Sequence, residues 1–432
     1  MVDPRRSLLR ALFDAAVGAA SPSACLPPHL PGPPASGRLI IFGAGKGGAE
    51  MVRVAVGHYL AAEPRLRSRL SGLAVTRYGY GATTDPLLCR EAGHPLPDAA
   101  SVAASEEILS IARTANAGDH VLVLLSGGAS ANLTLPAAGL TLADKQAVTR
   151  ALLRSGADIN EINTVRRHLS QIKGGKLAAA AGAARILTLA ISDVPGDDPA
   201  AIGSGPTAPD PTTLADAQAV IARWRIDLPD AAAAALRDPA NETLKPGDPA
   251  FTRAVFRIVA TARDSLAAAA QLAAAAGYEP VALGDRVTGE ARDLGAAHSA
   301  IARDLAQAGR RAAIISGGEC TVTVTGKGRG GPNQEYALGL AVAIEGDKRI
   351  AAVAGDTDGT DGGAGLATDP AGAFADGGTV ERGRRVGRDP RRDLADNDST
   401  GFFEATGDLL NPGPTRTNVS DFRVVLIDPD RG

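Results

Sequence analysis

Five short apolar runs in this 432-residue chain empty into turns whose residue types could do chemistry. RLIIF (38–42) leads into Gly43-Ala44-Gly45-Lys46-Gly47-Gly48, and HVLVLL (120–125) into Ser126-Gly127-Gly128-Ala129-Ser130. RILTLAI (185–191) leads into Ser192-Asp193-Val194-Pro195-Gly196-Asp197-Asp198. AAII (312–315) is followed by Ser316-Gly317-Gly318-Glu319, and RIAAVA (349–354) by Gly355-Asp356-Thr357-Asp358-Gly359-Thr360-Asp361. Glycine permits positive φ and close backbone approach to a ligand, so such turns are suited to presenting amide N–H groups to an anion.

The first turn formally matches GxGxxG, and the helical run after it would place amides at a helix start, where phosphate is favoured. A dinucleotide site wants an acid at the end of the next strand, but that strand ends in Thr76-Arg77; only a 2′-phosphate would suit the arginine. A P-loop is excluded, because Lys46 lacks both the preceding spacing and the following Ser/Thr. Lys46 is one of seven lysines against 38 arginines, and a mobile point charge in that turn fits phosphate or carboxylate contact. The two Ser-Gly-Gly turns offer amides and the hydroxyls of Ser126, Ser130 and Ser316; with the first turn they suit a polyphosphate better than a lone carboxylate.

Asp193, nearest its strand end, is a candidate general base or Mg²⁺ contact, both of which need a fixed carboxylate; Asp197 and Asp198 read equally as turn residues. Asp356 and Asp358 could bind Mg²⁺ or polar ligand groups, or cap a turn, and their spacing is not that of an EF-hand. DxDGT also resembles the haloacid-dehalogenase phosphatases, but the lysine and paired aspartates expected downstream are not evident. The run Gly326-Lys327-Gly328-Arg329-Gly330-Gly331 is expected to carry Lys327 or Arg329 over phosphate, and Gly413-Pro414-Thr415-Arg416-Thr417-Asn418 could complete a polar pocket.

Strands alternating with Ala/Leu-rich helical stretches predict two α/β domains with mainly parallel sheets, Rossmann-like in the N-terminal half, with ligands in a cleft between them. The aperiodic stretch NETLKPGDPAF (241–251) marks the boundary, giving domains at 1–245 and 251–432. Such a length exceeds what one core usually organises. A net charge of -3 offers no footprint for nucleic acid or membrane, and no segment reaches the ~18 apolar residues a membrane span needs. Cys25, Cys89 and Cys320 form no CxxC pair, so reduced thiols and a cytoplasmic protein with a small-molecule substrate are expected, with a homodimer as the candidate assembly.

Taken together, GAGKGGAEM, EAGHPLPD, SGGASA, INTVRRHLSQIKGGKLA, SDVPGDDPAAIGSGPTAPDP, SGGECTVTVTGKGRGGPNQEYAL, AGDTDGTDGGAG and GPTRTNVSDFRVVLI resemble, in order over residues 43 to 427, the class II glycerate kinase family with its C-terminal MOFRL region. The resemblance implies ATP- and Mg²⁺-dependent phosphorylation of D-glycerate at its 2-hydroxyl, and a family whose members are often labelled hydroxypyruvate reductases. It places the family's functional lysine on Lys46, its aspartates on Asp193 and Asp356, its glutamate on Glu319 and its asparagine on Asn418. From the turns themselves, Gly43, Gly45, Ser126, Gly127, Gly128, Ser130, Ser316, Gly317, Gly318, Lys327 and Arg329 are the expected nucleotide and phosphate contacts, and Asp356 with Asp358 the expected metal ligands. Pro332 stands where the family commonly has arginine, and Arg416 where members often have glycine, which leaves room for a related sugar acid or for a protein that binds without turnover. An NADP-dependent hydroxypyruvate reductase is the competing enzyme.

Overall fold

The computed structural model describes residues 3–363 and 365–429. Two compact units emerge: Cys25–Val259, and the chain up to Ala24 together with Ala260 onward. The first holds a six-stranded sheet of β1 (Leu39–Ala44), β2 (Leu70–Arg77), β3 (Leu88–Ala92), β4 (His120–Leu125), β5 (Arg185–Ile191) and β6 (Ala254–Ala260), in the order β3-β2-β1-β4-β5-β6. β1 pairs parallel with β2 and β4, β2 with β3, and β4 with β5. β1 is buried along its whole length, as expected of a central parallel strand covered by helices on both faces.

The second sheet departs from the expectation of mainly parallel strands. It is built from β7 (Glu279–Gly284), β9 (Ala312–Gly318), β11 (Ile350–Asp356), β12 (Gly372–Asp376), β13 (Leu409–Leu410) and β14 (Asp421–Ile427), with β8 (Gly289–Glu290) and β10 (Cys320–Thr321) paired apart from it. In the order β13-β12-β11-β14-β9-β7 only β7 and β9 run parallel. The last strand, β14, inserts between β9 and β11 and runs against both. Its run DFRVVLI is buried throughout, and an apolar run of that kind fits a covered sheet in either direction.

The unit boundary also differs from the expected stretch 241–251. That stretch is tied to the first unit: Leu244 N–H donates to Gly174 O at 3.0 Å, and Asp210 N–H to Leu244 O at 2.8 Å. At the other end, helix Arg6–Ala19 carries Leu9, Leu12, Phe13 and Ala16 on one face, the spacing of an amphipathic helix. That face joins a core with Leu266, Val353, Phe422 and Val424 of the second unit, where Phe13 meets Phe422 edge-on at 6.2 Å. Burying each large apolar side chain there contributes roughly 1.5–3 kcal/mol before entropy, so the helix folds with the sheet that can cover it rather than with its sequence neighbours.

Candidate active site

In the first unit the turns after β1 and β4 are stitched to one another. Gly45 has φ 103°, and a Cβ there would lie 2.3 Å from Ser126 O. Lys46 N–H donates to Gly127 O at 2.8 Å, Gly47 N–H to Ser126 Oγ at 2.7 Å, and Ser126 N–H to Ala44 O at 3.0 Å. The Ser126 oxygen, expected to face a ligand, is thus occupied in holding the lysine turn, and Ser126 is buried. Gly43 serves packing: a Cβ would strike Gly48 O and Val52 at 2.5 Å, so it lets the following helix, Gly48–Ala62, close on the strand. Lys46 is left half-buried on a turn fixed by three backbone donors.

Gly128 has φ 84°, and a Cβ there would meet the His94 ring at 2.9 Å and Lys46 Cγ at 3.4 Å. The structure therefore brings His94 beside Lys46 and the second glycine turn, a neighbour the sequence reading did not pick out although EAGHPLPD was among its matching segments. Ser130 Oγ lies 2.8 Å from Ser204 Oγ and receives Lys173 Nζ at 3.0 Å. Asp193 is half-buried just past β5. Asp198 proves to be a local cap, accepting from Ala200 N–H at 2.9 Å.

In the second unit the register sets Gly318, Asp421 and Asp356 side by side across β9, β14 and β11, so the turns after β9 and β11 and the loop before β14 share one sheet end. Arg423, fully buried, donates to Gly317 O at 3.2 Å and Gly318 O at 2.9 Å and pairs with Asp421 at 2.7 Å. Beneath that turn the Ser316 hydroxyl is buried without a hydrogen-bond partner, whereas Glu319 is exposed. Asp356 Oδ1 accepts from Asp358 N–H at 2.9 Å, and Asp358 Oδ1 from Thr360 N–H at 2.7 Å, the capped-turn arrangement. Thr415 binds back to Thr357 O, and buried Asn418 accepts from Ser420 N–H at 3.2 Å, so the 413–420 loop is laced to the aspartate turn. Among the described residues no group of three His, Cys, Asp or Glu side chains could hold a metal ion.

Asp361 is buried and supports the start of helix Pro332–Ala343. It accepts from Asn333 N–H at 3.0 Å and Gln334 N–H at 2.9 Å. Burial and the nearby Asp421 charge push its carboxyl up to about 7, against the pull of those amides. Pro332 occupies the first turn of that helix, where no N–H is required.

The glycine run 326–331 lies against another stretch of backbone, and its basic residues are exposed. A Cβ at Gly326 would strike Asp396 O at 2.2 Å and one at Gly328 the Asp398 Cβ at 2.4 Å, so these glycines allow the segment to lie flat on residues 396–398. Arg329 pairs at the exposed surface with Glu404 at 2.7 Å, and Lys327 is exposed, its N–H given to Asp396. The signal missed was the acidic 396–398 segment, far away in sequence but complementary in backbone contact.

A two-unit α/β protein with a lysine turn locked to a second glycine turn defines a class of anion-handling enzymes, and comparison with known proteins narrows it. Residues 8–237 match the description "Domain of unknown function (DUF4147)" and residues 312–421 the MOFRL family. A glycerate 2-kinase from Pyrococcus horikoshii is 39% identical over 92% of this chain and 89% of its own. A D-glycerate 2-kinase from Thermotoga maritima is 36% identical over 90% and 91%. A relative from Agrobacterium vitis named for hydroxypyruvate reduction is 48% identical over 98% and 94%. The crystal structure of the Thermotoga maritima glycerate kinase superposes with a TM-score of 0.84 at 34% identity, covering 98% of this chain and all of that one. The chain belongs to the class II glycerate kinase family, with DUF4147 and MOFRL regions in the expected order. No helix among the described residues is long and apolar enough to cross a membrane.

Proposed function

We propose that this protein is a kinase that transfers the γ-phosphoryl group of ATP to the 2-hydroxyl of D-glycerate. The observation that carries the reading is the chain-long likeness to the Thermotoga maritima enzyme, in sequence and in fold. Phosphoryl transfer needs chiefly positioning and charge neutralisation. Lys46, on a turn with little freedom to move, would neutralise charge on the transferring group, and His94 beside it would line the same ligand space. Asp193 would orient the attacking hydroxyl and take its proton. Glu319, Asp356 and Asn418 are proposed as ligand contacts at the shared end of the second sheet.

Mg²⁺ suits this donor set only as a nucleotide-borne ion. It ordinarily binds through one or two carboxylates with phosphates and water, and Asp356 and Asp358 supply two without forming an all-protein cage. When bound, it would neutralise charge on the phosphates.

Reduction of hydroxypyruvate, the activity in the Agrobacterium vitis relative's name, is the weaker reading. The arginine that a 2′-phosphate would need, Arg77, is buried and stacks on the Tyr80 ring at 4.7 Å. Phosphorus NMR of the protein with ATP, Mg²⁺ and D-glycerate, beside NADPH absorbance with hydroxypyruvate, decides between them. A 2-phosphoglycerate signal with steady absorbance is expected; NADPH loss without a phosphoester would overturn the kinase.

A further inference from the structure

Lys173 is fully buried, and both of its side-chain hydrogen bonds go to one residue: Nζ to Ser130 O at 2.7 Å and to Ser130 Oγ at 3.0 Å. Ser130 Oγ in turn meets Ser204 Oγ at 2.8 Å. Backbone pairing creates the cluster: Gly174 N–H donates to Ser204 O at 3.1 Å and Gly175 N–H to Gly205 O at 2.8 Å, which lays the Lys173 turn along the Gly203-Ser204-Gly205 turn. Ser204 adopts φ 63°, between glycines at 59° and 60°. For a residue with a Cβ that conformation costs roughly 1–2 kcal/mol, and such strain tends to sit at functional positions.

Among the described residues no carboxylate bonds the Lys173 amine. The charges that face it are Lys145 on helix Leu142–Ser155 and Arg166 and Arg167 on helix Ile159–His168, all cationic. Burial first, and then these neighbours, hold its pKa well below the ordinary lysine value. A buried ammonium without a counter-charge is costly, so burial favours the neutral amine and an arriving anion would favour the ammonium. Ser130 is half-buried, whereas Ser204 and Lys173 are buried, so the cluster comes nearest to solvent at Ser130.

We infer that Ser130, Ser204 and Lys173 form the receptor for the carboxylate of the hydroxy-acid substrate. The identity of that acid rests on the kinase reading. One cation and two hydroxyls match a monoanion with two oxygens, and binding it would favour the protonated form of Lys173. The site thus selects hydroxy acids over the corresponding neutral alcohols and couples their binding to proton uptake.

Calorimetric titration of the full chain with D-glycerate, glycerol and inorganic phosphate, in two buffers of different ionisation enthalpy, tests this. D-glycerate is expected to bind with uptake of about one proton near neutral pH. Ser130→Ala and Lys173→Met are expected to raise the Kd and KM for D-glycerate by about tenfold or more, with the KM for nucleotide and kcat changed far less. Lys173→Met also loses the proton uptake. If Lys173→Met does not fold, Ser130→Ala decides, since it removes only a hydroxyl. Unchanged D-glycerate affinity in a folded Ser130→Ala protein overturns the receptor while leaving the kinase standing. Phosphate binding that depends on these residues, with D-glycerate indifferent to them, overturns the carboxylate assignment. Proton-coupled binding of another hydroxy acid through the same residues, without D-glycerate turnover, upholds the receptor and overturns the substrate.

Discussion

The tripeptide Ser-Gly-Gly stands twice at a strand end in this chain, just past β4 and as the last three residues of β9, and the two copies are held by different means. In the first unit the support is backbone: Ser126 Oγ accepts from Gly47 N–H, and Gly127 O from Lys46 N–H. In the second unit the tripeptide is itself backbone-paired to β14, and a buried charge adds to that support. Gly317 O and Gly318 O both receive the buried Arg423 guanidinium, and the Ser316 hydroxyl has no partner. Behind Arg423 stands the Tyr336 ring, 5.6 Å from the guanidinium, and Tyr336 in turn bonds His298 Nδ1 at 2.8 Å. Identical local sequence therefore says nothing about how a turn is fixed. The first turn should be sensitive to geometry and the second to charge.

The sharpest break in that comparison is Arg423→Met. Removing one member of a buried, hydrogen-bonded ion pair leaves Asp421 uncompensated, which costs roughly 3–5 kcal/mol. Denaturant titration should show that loss, with Arg423→Lys recovering part of it. A loss no larger than that of Ser126→Ala would mean the guanidinium is not what fixes the turn.

The same support should respond to acid. Burial, then the Arg423 charge, holds the His298 imidazole down at about 4, below its ordinary 6.5. With the folded value depressed, the neutral ring contributes stability that is present above about pH 6.5 and drains away as the pH falls towards 4, roughly 2–3 kcal/mol in all. Stability curves across that interval should slope in the native protein and flatten in His298→Gln. An unchanged slope would detach the histidine from the support.

Ser126→Ala probes the other turn. It leaves the buried Gly47 N–H without its acceptor, at a cost of about 1–2 kcal/mol, and loosens the backbone under Lys46, so turnover should fall more than stability. Equal losses in both would assign Ser126 to folding alone. The smallest effect is expected at Arg416, exposed at φ 58°. Arg416→Gly relieves the left-handed strain but adds freedom to the unfolded chain, for a net change within about 1 kcal/mol by thermal denaturation. A larger loss would show that the arginine side chain itself supports the 413–420 loop.

Much of the fold was legible because β-strands in a covered sheet announce themselves locally. RLIIF, HVLVLL, RILTLAI, AAIIS and FRVVLI all lie in strands, and each lysine or aspartate turn follows its strand as its glycine content requires. Strands β3 and β7 escaped notice because half or more of their residues are exposed, and each is broken by charged residues or by proline and glycine, which blurs an apolar pattern. The candidate site was legible to the extent that its residues sit in those turns. The contact of the 326–331 run with residues 396–398 was not legible, because a glycine run reads alike whether it approaches a ligand or another stretch of backbone.

The sequence by itself determined where strands end in glycine turns, which turns carry Lys46, Asp193 and Asp356, and through eight motifs in order, the family. Only the tertiary structure decided that β14 runs against both its neighbours, that helix Arg6–Ala19 belongs with the second sheet, that Arg423 holds one turn and that Lys173 lies under Ser130 and Ser204. The division has one cause. Turn conformation and amphipathic spacing are satisfied within a few residues, whereas a buried charge or an apolar helix face takes whatever partner the packing brings to it, here from 43 residues away for Lys173 and 105 for Arg423.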